Sequence, residues 1–349
     1  MEPVVLENLG KAILKIEQLE KQLSKLRTES VVIVMDSNVE LGNGIVSILH
    51  NSVKQTSTKI YRFGNNEINT FPTESVREKN VYIVGSGSNV NGTINDNIMA
   101  MCSMIRSCRD ASAKHITLVC AYYPYARSDK KDVARAPIMG KLMADFFKSA
   151  GANRLITVDL HAGQIQGFFD NPFDNLYAID YLIAAVKRDY DTKDIILVSP
   201  DAGGEKRVNA YSKKLNVECT FMTKSRDHTK VSVIVAQELV HKDIDLKGKV
   251  VIVVDDIFDT GSTMCNGAEI LRKKGAAKVI AVVTHGIFSG KAFENLAKDD
   301  LDAIYVTNSL PQKDNMAKSN KIRVVDISKL FGDAILACVN HTSLSALFS

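Results

Sequence analysis

Residues 250–263 read Val250-Val251-Ile252-Val253-Val254-Asp255-Asp256-Ile257-Phe258-Asp259-Thr260-Gly261-Ser262-Thr263. The five β-branched residues at the start predict a buried strand, and the two acids follow directly after it. Helical sequence continues as far as Lys274, and Gly275 provides a stop. A strand that leads through a short loop into a helix is the repeating unit of α/β folds, so this stretch predicts an α/β fold.

The same order of strand, loop and helix repeats along the chain after Ser30. Near-continuous apolar strands separated by amphipathic stretches of helical length are typical of parallel sheets that helices cover on both faces. Nine strands are more than one small sheet needs, so we expect two sheets of four or five strands. The predicted strands are Val31–Val34, Val81–Val84, His115–Val119, Leu155–Val158, Ile195–Val198, Val250–Val254, Val279–Val283, Ile304–Val306 and Arg323–Val325.

The length of 349 residues predicts about two domains. The strand and helix pattern is weakest around Asp170–Tyr177, where Pro172 and two asparagines interrupt it. We therefore expect an N-terminal domain over residues 30–177 and a C-terminal domain over residues 178–349. Residues 1–29 are expected to be a separate N-terminal helical extension.

The N-terminal extension carries an apolar stripe at helical spacing. Such a stripe either packs on the core of its own chain or pairs with the helix of another copy. The stripe lacks a clean heptad register, which favours packing on the core. Its members are Leu9, Ile13, Ile16, Leu19, Leu23 and Leu26.

Composition excludes several functional classes. Lys and Arg number 44 against 40 Asp and Glu, and this net charge of +4 is too mild for a nucleic-acid-binding tract. Trp is absent and aromatic residues make up only 7%, which argues against a platform for stacked bases. We find no apolar run of about 18 residues, so we expect no membrane span. The six cysteines form no C-x-x-C pair, which predicts reduced thiols and a cytoplasmic protein.

The loop Asp259–Thr263 predicts a site for a phosphorylated sugar. Backbone N–H groups at the start of a helix, together with nearby hydroxyls, bind anions. Asp255 and Asp256 would repel a phosphate but suit sugar hydroxyls or a metal. The alternative is an ordinary capped helix with Asp259 as its N-cap.

A second candidate site follows the strand Ile195–Val198. Gly203 and Gly204 allow the backbone to approach a ligand closely, and Asp201 can bind a cation. Lys206 and Arg207 add positive charge. Taken alone, this segment could also be a plain turn from a strand into a helix.

A third candidate site lies at the end of the strand Leu155–Val158. Asp159 and His161 are two residues apart, so in an extended chain their side chains face the same side. That arrangement suits a shared Mg²⁺ or a triphosphate. A single histidine is otherwise more often structural.

The stretch Asp159–Phe169 discriminates between families. It resembles the signature D-x-H-[AS]-x-Q-[IM]-Q-[GA]-[FY]-F of the ribose-phosphate diphosphokinases, also called PRPP synthetases. The loop at Asp259–Thr263 resembles the phosphoribosyl-pyrophosphate loop of type I phosphoribosyltransferase folds, and the resemblance to the synthetases extends from about Phe63 to Phe348. It implies two tandem type I phosphoribosyltransferase-like domains, each a mainly parallel sheet flanked by helices.

The resemblance also implies a reaction and its residues. The diphosphoryl group of ATP would pass to the C1 hydroxyl of ribose 5-phosphate, giving PRPP and AMP for nucleotide biosynthesis, with Mg²⁺ as the cofactor. The loop Phe63–Glu67 would act in a neighbouring subunit, which implies a homo-oligomer, a hexamer built from dimers. The implied residues are Lys224 and Arg226 for catalysis; Phe63, Asn65, Glu67, Arg127, Ser128, Asp132 and His161 for ATP; Asp255, Asp256, Asp259, Thr260, Gly261, Ser262 and Thr263 for ribose 5-phosphate; Asp201, Gly203 and Gly204 for the diphosphate; and Asp159, His161, Asp170, Asp174 and Asp201 for the metal.

Several positions depart from the family pattern. Ser128 stands where the family usually has Gln, and Ser262 stands where such loops usually carry a second Gly. Asp227 and His228 stand where the animal enzymes have further basic residues.

Two other functions compete with the enzyme. One alternative is a catalytically silent associated subunit; such relatives have lost the acid-rich loop and the double Gly that this chain keeps. The other is an ordinary phosphoribosyltransferase, which would explain Asp255–Thr263 but neither the second domain nor Asp159–Phe169.

Overall fold

The structure, a computed structural model, describes residues 8–9, 11–18, 29–50, 52–226, 234–240 and 244–347. The chain divides into two compact units, and neither is continuous in sequence. The first unit takes in Met1–Ile156, Gln164–Asp174 and Ser328–Ser349, and the second takes in Thr157–Gly163 and Asn175–Ile327.

The strands form two large sheets and one small one. In chain order, the described strands are β1 (Ser30–Val34), β2 (Lys54–Gln55), β3 (Thr58–Arg62), β4 (Ile68–Pro72), β5 (Asn80–Gly85), β6 (His115–Cys120), β7 (Arg154–Val158), β8 (Phe173–Leu176), β9 (Ile195–Ser199), β10 (Cys219–Arg226), β11 (Ile234–Leu239), β12 (Val250–Phe258), β13 (Lys278–Gly286), β14 (Ala303–Thr307) and β15 (Ile322–Val325).

Helices follow most of these strands. After residue 29, the described α-helices are α1 (Val39–Leu49), α2 (Ile94–Asp110), α3 (Met139–Ala150), α4 (Ile179–Asp189), α5 (Glu205–Leu215), α6 (Ser262–Lys273), α7 (Ala292–Leu296), α8 (Lys313–Lys318) and α9 (Ser328–Val339).

A six-stranded sheet in the order β2-β1-β5-β6-β7-β8 forms the centre of the first unit. The pairs from β2 through β7 are parallel. An antiparallel hairpin of β3 and β4 forms a separate two-stranded sheet. At the start of α2, Thr93 and Asp96 form a capping box, in which each side chain accepts a hydrogen bond from the other's backbone N–H.

The second unit has a seven-stranded sheet in the order β11-β10-β9-β12-β13-β14-β15. The pair β10–β11 is antiparallel, and the other pairs are parallel. The central strands are nearly all apolar and buried, as a sheet covered on both faces requires. Because β9 and β12 are neighbours, the loops that follow them leave the same edge of the sheet.

The predicted domain boundary near residue 178 does not match this division. Helix α9 was expected in the C-terminal domain but belongs to the first unit, where it packs against α1. The approach is close, since a Cβ on Gly332 would lie 2.6 Å from Cγ2 of Ile48. Conversely, Thr157–Gly163 groups with the second unit, and its hydrogen bonds there, described below, explain why.

All nine predicted strands are present, but the expected sheet sizes were wrong. The sheets have six and seven strands because the pattern missed the shorter or more polar members. Strand β2 consists of Lys54 and Gln55 alone. Strand β10 ends in the polar residues Lys224, Ser225 and Arg226, which do not resemble a buried apolar strand.

Residues 8–9 and 11–18 of the N-terminal extension are helical. Contrary to the expected packing on the core, the described apolar side chains are exposed, with Leu9 at 57%, Ile13 at 49% and Ile16 at 54%. The remainder of the stripe, Leu19, Leu23 and Leu26, lies outside the described residues. Among the helices that the structure describes, none has the length and apolar character needed to cross a membrane.

Candidate active site

A chain of charged groups lies at the end of β12 in the second unit. The strand extends beyond the predicted Val254, so Asp255 and Asp256 belong to it. Nη1 of Arg207, on α5, donates to Oδ1 of Asp255 at 3.1 Å and to Oδ1 of Asp256 at 3.0 Å. Nδ1 of His161 lies 2.7 Å from Oδ2 of Asp256. Asp256 therefore joins an arginine on α5 to a histidine in the segment after β7.

The two carboxyl groups of this cluster have opposite pKa shifts. Burial, together with the neighbouring Asp256 carboxylate, holds the pKa of Asp255 well above its usual range. Burial alone would also raise the pKa of Asp256, but the hydrogen bond from His161 and the charge of Arg207 outweigh it and hold that pKa low. Asp256 is therefore the ionised member and accepts the hydrogen bond from His161 Nδ1–H.

The predicted phosphate loop runs from Asp259 to Thr263 and leads into α6, which begins at Ser262. Within residues 259–263, Gly261 alone has a positive φ, +75°. A Cβ there would lie 2.4 Å from Cζ of Phe258, so glycine is required at this position. Ser262 is helical, and its departure from the family's Gly therefore introduces no backbone strain.

Side chains from the segment after β13 brace this loop. Asn295, on α7, donates through Nδ2 to the carbonyl oxygen of Thr260 at 2.9 Å and to Oγ of Ser262 at 3.2 Å. The hydroxyl of Ser289 donates to the Asp259 carboxylate, and its backbone N–H donates to the carbonyl oxygen of Asp259. The hydroxyl of Ser262 is thus positioned by Asn295.

The second predicted loop, after β9, makes a tight turn into α5. Oδ1 of Asp201 accepts a hydrogen bond from Gly203 N at 3.0 Å, and Ser199 Oγ donates to the carbonyl oxygen of Asp201 at 2.7 Å. A Cβ on Gly204 would lie 2.3 Å from Ser199 Oγ, so the backbone lies directly against that hydroxyl. Asp201 precedes this turn, and Arg207 lies in the first turn of the helix that follows it.

The five predicted metal ligands do not form one cluster. Asp170 pairs with Lys148 and Asp174 with Arg154, all in the first unit. Asp159, His161 and Asp201 lie in the second unit, where Oδ2 of Asp159 accepts hydrogen bonds from protein donors. Among the described residues, no group of three or more His, Cys, Asp or Glu side chains could hold a metal ion.

The predicted adenine-contacting residues lie at the tip of the hairpin β3–β4 in the first unit. Oδ1 of Asn65 accepts a hydrogen bond from Glu67 N at 3.1 Å, which shapes the tip. Phe63 is 48% exposed, and its ring lies 5.1 Å from that of Tyr61 in an edge-to-face contact. An aromatic side chain held at an exposed tip can stack on a ligand.

The other predicted ATP-contacting residues lie between β6 and α3. Arg127 and Asp132 are exposed there, and Asp132 lies 3.6 Å from Lys130. Oγ of Ser128 accepts a hydrogen bond from Met139 N, 3.3 Å away, at the start of α3. The hydroxyl of Ser128 thus pairs a backbone N–H in the first turn of α3.

The predicted catalytic residues lie at the end of β10. Lys224 pairs with Gln237 of β11, and Arg226 pairs with Ile234 after an irregularity in the register. The segment 227–233, which joins the two strands and contains Asp227 and His228, lies outside the described residues.

Comparison with known proteins identifies the family. Residues 30–151 match the N-terminal domain of ribose phosphate pyrophosphokinase, and residues 237–349 match the phosphoribosyl synthetase-associated domain. The crystal structure of phosphoribosylpyrophosphate synthetase from Mycobacterium smegmatis is 33% identical, with a TM-score of 0.81 over 89% of this chain and 99% of that one. The chain belongs to the PRPP synthetase family.

This PRPP synthetase family member also has weaker structural matches. Orotate phosphoribosyltransferase from Aeropyrum pernix is 21% identical, with a TM-score of 0.29 over 43% of this chain and 67% of that one. The match to the Mycobacterium smegmatis synthetase, together with the two family domains, confirms the predicted recognition and the predicted α/β fold class. Enzymes of the PRPP synthetase family use a divalent metal.

Sequence reasoning missed some of the polar residues that shape this family member's site. Arg207 was predicted only to add positive charge. Its position shortly after a double glycine and near a predicted cation ligand could have marked it as a residue of the site. Asn295 carried no signal, because its role depends on where α7 packs. Ser289 carried no signal either, because its hydrogen bonds to Asp259 depend on how the segment after β13 packs against the phosphate loop.

Proposed function

We propose that this chain is an active ribose-phosphate diphosphokinase that transfers the β,γ-diphosphoryl group of ATP to C1 of ribose 5-phosphate. The C1 hydroxyl oxygen forms a bond to the β-phosphorus, the bond from that phosphorus to the α-phosphate oxygen breaks, and AMP leaves. The observation that carries this proposal is the 2.7 Å contact between His161 and Asp256. It brings the predicted triphosphate-binding histidine to the predicted ribose-binding acid within one compact unit.

Ribose 5-phosphate binds at the end of β12 in this proposal. The backbone N–H groups at the start of α6 and the hydroxyls of Thr260, Ser262 and Thr263 bind the 5-phosphate. Asp255 and Asp256 accept hydrogen bonds from the ribose hydroxyls. Arg207 compensates the charge of the two acids, so that they can stay buried beside each other.

The donor set fits a Mg²⁺ ion that arrives with ATP. Mg²⁺ keeps several waters and takes only one or two protein ligands when substrate phosphates supply the rest, so a three-residue protein cluster is not required. His161 and Asp201 would hold it in the second unit. When bound, the ion neutralises charge on the phosphate oxygens. Asp159, Asp170 and Asp174 already have protein partners and are weaker candidates.

Lys224 and Arg226 supply positive charge to the transferring group. Phosphoryl transfer needs positioning and charge stabilisation more than covalent chemistry. Two cations on one strand, β10, suit that role. Gly203, in the loop after β9, is exposed beside Asp201, where its backbone can approach the diphosphate, while Gly204 lets the loop pack against Ser199.

ATP binding draws on the first unit. We propose that Arg127 and Asp132 contact the nucleotide, and that Phe63, Asn65 and Glu67 at the exposed hairpin tip contact adenine in a neighbouring copy. This arrangement implies a homo-oligomer, which we propose is a hexamer built from dimers. We propose a cytoplasmic location, because all six cysteines are free thiols and three of them are fully buried.

Asn295→Ala should weaken binding of ribose 5-phosphate. The variant loses two hydrogen bonds that fix the phosphate loop, each worth about 0.5–1.5 kcal/mol. We expect KM for ribose 5-phosphate to rise about three- to tenfold while kcat changes less than about twofold. Glu294→Gln, at an exposed position one residue earlier, should leave both constants unchanged. An unchanged KM in Asn295→Ala would show that these two hydrogen bonds do not position the loop for binding.

The direct test of the proposed function is AMP release. Purified protein should form AMP only when ATP, ribose 5-phosphate and Mg²⁺ are all present, and EDTA should stop the reaction. If AMP does not form under any of these conditions, the chain is a silent associated subunit. If PRPP and a base instead release pyrophosphate, the chain is a phosphoribosyltransferase.

A further inference from the structure

Asp159 has a strained backbone. Its φ is +43°, in the left-handed region that residues other than glycine rarely adopt. Such a conformation persists only where the surrounding structure fixes it, and it is often found at functional sites. Asp159 lies two residues before His161, so its backbone sets the direction in which that histidine leaves β7.

Two donors of the second unit hold the Asp159 carboxylate. Oδ2 accepts a hydrogen bond from Thr284 Oγ1 at 2.6 Å and another from Ala178 N at 3.1 Å. Thr284 itself is buried near the end of β13. The distance of 2.6 Å is in the usual range for a hydroxyl that donates to a carboxylate.

His285 holds the other side of the same backbone. Nε2 lies 3.1 Å from the carbonyl oxygen of Val158 and 3.3 Å from that of Asp159, while Nδ1 lies 2.9 Å from Ser309 Oγ. Carbonyl oxygens only accept, so Nε2 carries the proton and donates to these carbonyls. Burial lowers the pKa of His285.

Backbone bonds complete the restraint. Asp159 N donates to the carbonyl oxygen of Leu176 at 2.9 Å, and Leu160 N donates to Oδ1 of Asn175 at 3.0 Å. All these partners belong to the second unit. The consequence is that His161 points at Asp256.

We propose that Thr284 is a positioning residue for diphosphoryl transfer: its hydroxyl fixes the Asp159 carboxylate and so aims His161 at Asp256. His285 holds the backbone carbonyls of the same segment. Thr284 does not touch substrate in this account and acts only through Asp159. The inference rests on the proposed function, since the aim of His161 matters only if it serves the triphosphate.

Three substitutions test the hydroxyl of Thr284. Thr284→Val keeps the shape and removes the donor, whereas Thr284→Ser keeps the donor. Thr157→Val is the matched control, because Thr157 is equally buried in β7 and its hydroxyl has no hydrogen-bond partner. We expect kcat in Thr284→Val to fall at least about tenfold, because a small displacement of an aligned group has a large effect on rate. Thr284→Ser should stay within about threefold of wild type and Thr157→Val within about twofold, and the dissociation constant of ribose 5-phosphate should be unchanged in all three.

A second measurement does not depend on activity. Hydrogen exchange of the peptide containing Asp159 and Leu160 should be faster in Thr284→Val and unchanged in Thr157→Val. If wild type releases no AMP, the proposed function fails while hydrogen exchange still tests the restraint. Should Thr284→Val unfold, Thr284→Ala removes the same hydroxyl with less crowding. Wild-type turnover and exchange in the variants without the hydroxyl, or an equal loss in Thr284→Ser, would overturn the proposal.

Discussion

Arg207→Met should nearly abolish binding of ribose 5-phosphate and destabilise the second unit by about 3 kcal/mol. Nη1 of Arg207 bonds both Asp255 and Asp256, at 3.1 Å and 3.0 Å. Without the guanidinium, two neighbouring carboxyl groups stay buried with one proton between them, and breaking a buried pair from one side typically costs about 3–5 kcal/mol. We expect the low end, because Arg207 and Asp255 retain some solvent contact.

Two measurements check the Arg207 prediction. Urea unfolding reports the loss of stability, and calorimetry reports ribose 5-phosphate binding. Lys206→Met is the matched control, since it removes the same charge from an exposed side chain one residue earlier. The variant should resemble wild type in both measurements. If Arg207→Met were as stable as Lys206→Met and bound the sugar phosphate equally well, the acid pair would not depend on its arginine.

Lys224→Ala should lower turnover at least about a hundredfold with little change in ribose 5-phosphate binding. A positioned cation that acts on the transferring phosphoryl group contributes on the order of 10³-fold in rate. Lys224 lies on β10, which is separated in the sheet by β9 from β12, the strand before the loop that is proposed to bind the sugar phosphate. The effect should therefore appear in kcat and not in the affinity for ribose 5-phosphate.

Steady-state kinetics together with calorimetry separate these two quantities for Lys224. Lys213→Ala, on the exposed face of α5, removes one positive charge without approaching the phosphates and should keep wild-type turnover. Lys224→Arg should restore part of the rate, because the charge remains. Wild-type turnover in Lys224→Ala would remove Lys224 from the mechanism.

The sequence was sufficient to predict the central strands and the loops that carry chemistry. The strand Val250–Val254 and its neighbours are almost entirely β-branched, and such runs are found as buried parallel strands. The loop Asp259–Thr263 could be predicted because its order of strand, acids, glycine and helix is local. Features that depend on a short run of neighbouring residues could therefore be predicted from the sequence alone.

The pairings within the site could not be predicted in the same way. Arg207 and Asp256 are 49 residues apart, and His161 and Asp256 are 95 residues apart. The contact of Arg207 depends on the strand order, in which β9 lies beside β12. The contact of His161 depends on the grouping of Thr157–Gly163 with the second unit. The return of α9 to the first unit likewise depends on its packing against α1, which no local pattern records. The positive φ of Asp159 is a further property that only the tertiary contacts impose.

The most direct test of the central claim is ³¹P NMR of a mixture of the protein, ATP, ribose 5-phosphate and Mg²⁺. Diphosphoryl transfer predicts that the ATP signals give way to AMP and to a diphosphate attached at C1 of the ribose, with no ADP. Formation of ADP would mean that one phosphoryl group moves instead of two, and unchanged ATP signals would mean that the chain does not catalyse the reaction. Either result would contradict the account.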